Sequence, residues 1–189
     1  MPGATSNIKG SCIKSVEDFV RNRGGKPLWD KIISRLTPEE GALFTGLILA
    51  GDWYPLSAYN HLLNAIAEEL SAGNPIIGLE IGRKVIADGL SGIYKIFLDI
   101  LNTGYILSKA PLLWKRYFDR ETMQILDVSA RHLLISVSDD FLPGKTFCNS
   151  VLGGILLTIE RSGGKNAAGR EIHCRSEHAA HCQFDISWE

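Results

Sequence analysis

Long hydrophobic runs are missing from this sequence. The longest apolar stretch, GALFTGLILAG at 41–51, falls well short of the roughly 20 residues that a membrane-spanning helix needs. The polar opening MPGATSNIKGS has no hydrophobic core of the kind a secretory signal carries. Both absences predict a cytoplasmic protein. Charge of one sign is missing too: 20 Lys and Arg stand against 21 Asp and Glu, a formal net charge of -1, so no basic surface for nucleic acid is expected. Cysteine is scarce, with Cys12, Cys148, Cys174 and Cys182 only. In a reducing compartment these read as metal ligands or inert core residues rather than disulfide partners. No dinucleotide fingerprint, phosphate loop or nucleophile elbow occurs. GLEIGRKVIADG has glycines but not the G-x-G-x-x-G spacing. Asp139-Asp140 reads as a solvated turn. An enzyme is therefore not expected.

What is present is an ordinary globular composition, 45% hydrophobic and 22% charged, in a chain sized for one domain over 1–189. Glycine is plentiful at 19 residues, many inside apolar segments, which points to close helix packing or bends. Residues 1–119 read as mainly helical. Segments 14–23 and 26–36 are separated by Gly24-Gly25. Thr37-Pro38-Glu39-Glu40 is a helix start. Trp53-Tyr54-Pro55 reads as a turn before a helix striped by Tyr59, Leu62, Leu63, Ile66 and Leu70. Residues 76–101 form one bent helix or two, and 103–119 another, kinked or restarted at Pro111. Residues 120–189 change character: a strand pair at 122–128 and 131–138, a helix over 144–164, and a terminal hairpin of REIHCR and CQFDISW. The class is α+β, a helical bundle packed on an antiparallel sheet.

The terminal hairpin carries the strongest chemical signal. Cys174 and Cys182 flank RSEHAAH, so facing strands bring the thiols close. Cys148 starts the helix that feeds the hairpin, and Glu171 lies three residues before Cys174. Three thiolates and a carboxylate suit a closed, structural zinc site. Residues three apart on a regular strand face opposite ways, so Glu171 and Cys174 share a metal only if the strand is bulged. His173, His178 and His181 are spare donors that could replace Glu171. The alternative is a set of buried, inert cysteines, since Cys-x7-Cys is not a standard zinc spacing.

The segment from GKTFCNSVLGGILLTIERSGG through GREIHCRSEHAAHCQFDIS resembles the C-terminal half of the 4-vinyl reductase-type domain, which occurs alone and as the sensor module of bacterial phenol-responsive activators. In those sensors zinc is held by Cys, Glu, Cys and Cys, and Cys148, Glu171, Cys174 and Cys182 match that motif in type and order. The resemblance implies a structural zinc that fixes a pocket wall, and a homodimer made through N-terminal helices. IKGSCIKSVEDFVRNRGGKPLWDKI and DWYPLSAYNHLLNAIAEEL are similar to bacterial proteins distantly related to heme–nitric-oxide-binding domains. That group shares its fold with TRAPP subunits of the Golgi tethering machinery. The histidine and tryptophan that anchor phenol in the sensors have no counterparts here that the motif secures.

Heme-binding relatives use a proximal histidine on a central helix and a Y-x-S-x-R clamp. Residues 93–118 contain no histidine and the clamp motif is absent from the chain. The aromatic residues Tyr94, Phe97, Tyr105, Trp114 and Phe118 are candidates to line a pocket for a small apolar or aromatic ligand, or they are simply core. The resulting expectation is a ligand-binding sensor with structural zinc that signals through another protein. A ligand-free TRAPP-like scaffold and a heme-based gas sensor are the alternatives.

Overall fold

The computed structural model describes residues 6–90, 103–120, 122–138 and 141–189. Strand β1 (Asn7–Lys9) leads into α1 (Gly10–Ile33), followed by α2 (Pro38–Thr45), β2 (Trp53–Pro55), α3 (Leu56–Ser71) and α4 (Ile77–Gly89). After residues 91–102 come α5 (Thr103–Ser108), α6 (Ala110–Trp114), β3 (Thr122–Val128), β4 (His132–Ser138), α7 (Lys145–Arg161), β5 (Ala168–His173) and β6 (Cys182–Ser187). The architecture is α+β, as the segment order implies.

Local chemistry sets most boundaries. Gly24 and Gly25 break α1, and Gly25 has φ 66°, a conformation open to glycine and costly for others. Thr37 caps α2, its Oγ1 accepting from the Glu40 amide at 3.3 Å. Ala72 and Gly73 end α3 with positive φ. Pro111 sits in the first turn of α6, where its missing N–H costs nothing. Trp53-Tyr54-Pro55 differs from its expected turn: it pairs antiparallel with Asn7–Lys9 as a two-stranded ribbon. That pairing is a long-range event, to which local periodicity is blind.

The larger sheet is antiparallel in the order β3-β4-β6-β5. Its inward residues, among them Leu133, Ile135, Phe184 and Ile186, join Val16, Trp29, Leu63 and Ile81 of the helices in one hydrophobic cluster. Helix α7 fits between sheet and bundle because it meets α4 at backbone distance. A Cβ at Gly82 would lie 1.8 Å from the Ser150 carbonyl oxygen, and one at Gly153 would lie 2.2 Å from that of Leu79. The Arg83 guanidinium donates to both carboxylate oxygens of Glu160, at 2.7 and 2.6 Å, and so ties the same two helices together. No described helix is long and apolar enough to cross a membrane.

Two predictions follow from these contacts. Gly82→Ala forces two backbones apart and should lower unfolding free energy by about 2 kcal/mol or more. Gly46→Ala, where no atom lies within 4 Å of the new methyl, should stay within about 0.5 kcal/mol; urea denaturation compares the two. On the sheet, His132 Nε2 lies 2.8 Å from Asp185 and Nδ1 lies 3.3 Å from Asp127. The Asp185 hydrogen bond, helped by both carboxylates' charge, raises its pKa above the ordinary histidine value. The protonated ring is thus favoured in the folded state. Its contribution should be full below about pH 6.5 and lost as pH rises through the raised folded value. Melting curves of wild type and His132→Gln from pH 5 to 8.5 should converge at the alkaline end.

Candidate functional site

Three elements bring the hairpin chemistry together. Cys148 lies in the first turn of α7, and its amide donates to the Gly144 carbonyl at 3.1 Å. The Gly144 amide in turn donates to Oδ1 of the buried Asn60 on α3 at 2.8 Å. Cys182 opens β6. Cys174 follows β5 and caps a short 3-10 turn over Arg175–Glu177, its carbonyl accepting from the Glu177 and Ala179 amides. The β5–β6 register slips between Glu171 and His173, so Ile172 is the extra residue of a bulge. That slip, with Cys174 stepping out of the strand, turns Glu171 and Cys174 to one side despite their spacing.

One ligand atom from each of Cys148, Glu171, Cys174 and Cys182 lies within 4.8 Å of every other. The Cys148 sulfur is 3.9 Å from that of Cys174 and 3.8 Å from that of Cys182. A tetrahedral cation with metal–sulfur bonds of about 2.3 Å would space its sulfurs about 3.8 Å apart. The donor set therefore fits a metal ion. Glu171 supports the fit. One carboxylate oxygen, Oε2, accepts from Lys145 Nζ at 3.0 Å, while Oε1 is buried with no hydrogen-bond partner. A buried carboxylate oxygen without a partner is costly, and a cation would satisfy it. His173 and His178 are exposed, His181 lies 2.7 Å from the Gln183 amide nitrogen, and none belongs to the cluster.

The electrostatics are those of too many acids in one place. Cys148 is held protonated, its pKa pushed up by the hydrogen bond it donates to Cys182, by burial and by nearby negative charge. Cys182 is pushed down because it accepts from Cys148 and from the Arg175 amide at 3.4 Å. Burial pushes Cys174 up. Desolvation works against the Lys145 ammonium, but ion pairs with Glu177 and Glu171 overcome it and hold its pKa above the ordinary value. A dication would let all the thiols ionise together.

The other feature is an apolar cavity of about 140 Å³ between α4, α7, the α5–α6 segment and the sheet. Trp114 and Phe118 line it, stacked at 4.2 Å with planes 24° apart. Tyr105 does not; it is 51% exposed on α5. Tyr94 and Phe97 lie outside the described residues. Tyr59, Phe147 and Met123, none of them a pocket candidate on sequence, also line the cavity. Phe147 is the hub, meeting Tyr59, Phe118 and Phe141 edge-on. Its place beside Cys148 was the available signal, since successive helix residues point about 100° apart and one can face the thiol cluster while the next faces the cavity. Burial pushes the Cys12 thiol up to about 12, and raises Tyr59 well above the ordinary tyrosine value, so both stay neutral at the cavity wall. Trp114, 8% exposed, keeps a buried indole N–H with no partner among the described residues.

This architecture recurs in solved structures. An H-NOX protein from K. algicida in the Fe(II) unliganded state matches at 15% identity with a TM-score of 0.72, over 96% of this chain and 97% of that one. One from S. oneidensis in the Fe(II)NO ligation state matches at 13% identity with a TM-score of 0.73, over 96% and 99%. A mutant from T. Tengcongensis matches at 12% identity with a TM-score of 0.69, over 96% and 98%. The chain has the H-NOX fold. No family profile and no curated protein sequence matches it. At these identities the H-NOX likeness is one of backbone, so the residues must be tested separately. Among the described residues no histidine lines the cavity. Its heteroatom side chains are Cys12, Tyr59, Trp114, Tyr117, Met123, Ser150 and Thr158.

The Asn60 contact holds the head of α7. Asn60→Ala strips the Gly144 amide of its partner and should cost about 1–3 kcal/mol, read by chemical denaturation, with Asn60→Asp recovering part of the loss.

Proposed function

We propose that this chain is a binding module, not an enzyme, for a small apolar or single-ring aromatic ligand, built on the H-NOX fold and braced by a structural zinc ion. The observation that carries the reading is the apolar cavity of about 140 Å³ walled by Trp114, Phe118 and Phe147. A dry cavity of about 150 Å³ is enough for benzene. Cys148, Glu171, Cys174 and Cys182 would hold the zinc. With no open position, it would supply rigidity to the start of α7 and not Lewis-acid chemistry. Ligand occupancy would act through α7, which touches both features, and the signal would pass to a second copy of the chain or another protein.

A second reading, a heme-based gas sensor, is favoured by the fold likeness to H-NOX proteins over nearly the whole chain. The residues do not support axial ligation by histidine: 93–118 has none, and the Y-x-S-x-R clamp is absent. Cys12 and Tyr59 are held in their neutral, weakly ligating forms.

Three measurements separate the readings. Purified protein should carry one equivalent of zinc, and Cys174→Ser or Cys182→Ser should lose it and melt lower; a metal-free, fully folded wild type would count against the zinc. Heme reconstitution should give no stoichiometric Soret band, and a sharp one would favour the gas sensor. Toluene, phenol and anisole at millimolar concentration should raise the melting temperature by mass action. No shift with any of them would favour the ligand-free scaffold.

A further inference from the structure

Each donor of the hairpin has a partner behind it. The Ser176 Oγ lies 2.8 Å from the Cys174 sulfur. The Arg175 amide donates to the Cys182 sulfur at 3.4 Å. The Lys145 ammonium donates to Glu171 Oε2 at 3.0 Å. Of these contacts only the one from Lys145 brings a charge, and the place of that charge is set twice over. Lys145 is the first residue of α7, three before Cys148 and so on the same helix face. Its Nζ also lies 2.9 Å from Glu177 Oε1, in the 3-10 turn that follows Cys174. The ammonium thus ties together the segments that carry Cys148, Glu171 and Cys174. The Glu171 side chain is 12% exposed and that of Lys145 37%, so the ammonium reaches the carboxylate from the solvent side.

We infer that Lys145 is a positioning residue that limits Glu171 to one metal-binding oxygen, and that it thereby holds the cluster to four donors and sets its preference for a zinc-sized cation over a larger one. The inference rests on the metal reading of the cluster and adds to it the residue that fixes the donor count. A carboxylate can ligate through one oxygen or through both. An ammonium 3.0 Å from Oε2 draws charge from that oxygen and repels a dication brought near it. Oε1 is the atom left over, buried and with no hydrogen-bond partner. Three sulfurs and this one oxygen make the four donors that a small tetrahedral ion takes. Without the ammonium, Oε2 is released as a fifth donor. Donor number and room at the site decide between cations of different size, and a fifth donor favours the larger cadmium ion.

Titration of the full chain with cobalt(II), then competition with zinc and with cadmium, tests this. Cobalt-loaded wild type should show the strong visible absorption of a four-coordinate centre. Lys145→Met should weaken that absorption about two-fold or more, and should raise the ratio of the zinc to the cadmium dissociation constant by about ten-fold or more. Lys145→Arg keeps the charge and the donor and should stay close to wild type in both. Lys145→Gln removes the charge as well, and serves if the methionine variant does not fold. A cobalt spectrum unchanged by loss of the charge, or zinc and cadmium weakened equally, would mean that Lys145 only braces the hairpin and would overturn the inference. A wild type that takes up neither cobalt nor zinc in stoichiometric amount overturns the metal reading and this inference with it, so the two failures are distinguished by the wild type alone.

Discussion

Two helix backbones touch in this protein, and much else depends on where that contact puts α7. Gly78 and Gly82 on α4 and Gly153 on α7 leave no room for a single added methyl. Helices that meet through side chains stand 8–10 Å apart; glycine rows let them come closer, with more dispersion contact per turn. The Arg83–Glu160 fork then fixes the sliding coordinate along the pair. With α7 held so tightly, its remaining faces become reference surfaces. One faces the cavity, and its first turn carries Cys148.

That arrangement places the thiol–carboxylate cluster and the cavity on one helix. Phe147 and Cys148 are adjacent in the chain, and one is the aromatic hub of the cavity while the other is a corner of the thiol cluster. Asn60 holds Gly144 at the head of the same turn. The turn is therefore gripped at its amide, at its sulfur and at its ring. Without a cation the cluster keeps Cys148 protonated, donating to Cys182, whose own pKa falls as it accepts. A bound dication would replace that hydrogen bond with ligation and brace the cavity wall.

Much of this was legible in the sequence, for identifiable reasons. The order of helices and strands is written in periodicity and in breakers such as Gly24-Gly25 and Pro111. The Cys148, Glu171, Cys174 and Cys182 set is legible because residue type restricts metal chemistry sharply, and the requirement of a bulge near Glu171 follows from the pleat alone. The β1–β2 ribbon was not legible, since Asn7–Lys9 and Trp53–Pro55 have little pattern of their own and gain it only by pairing. Nor could helical spacing separate Trp114, which lines the cavity, from Tyr105, which faces outward: both are aromatics in short helical segments, and the turn between α5 and α6 resets the phase.

The H-NOX fold explains why a cavity exists at this place and does not dictate what fills it. A sheet packed on a helical bundle leaves a gap wherever helices diverge, and side chains then determine the gap's size and polarity. Here Trp114, Phe118 and Phe147 reduce it to about the volume of one ring. Burial keeps the thiol and phenol at its wall neutral. Among the described residues the wall is neutral and almost wholly apolar, and no histidine takes part in it. The same backbone can thus frame cavities of different lining, with the change carried by which side chains reach inward from α6 and α7.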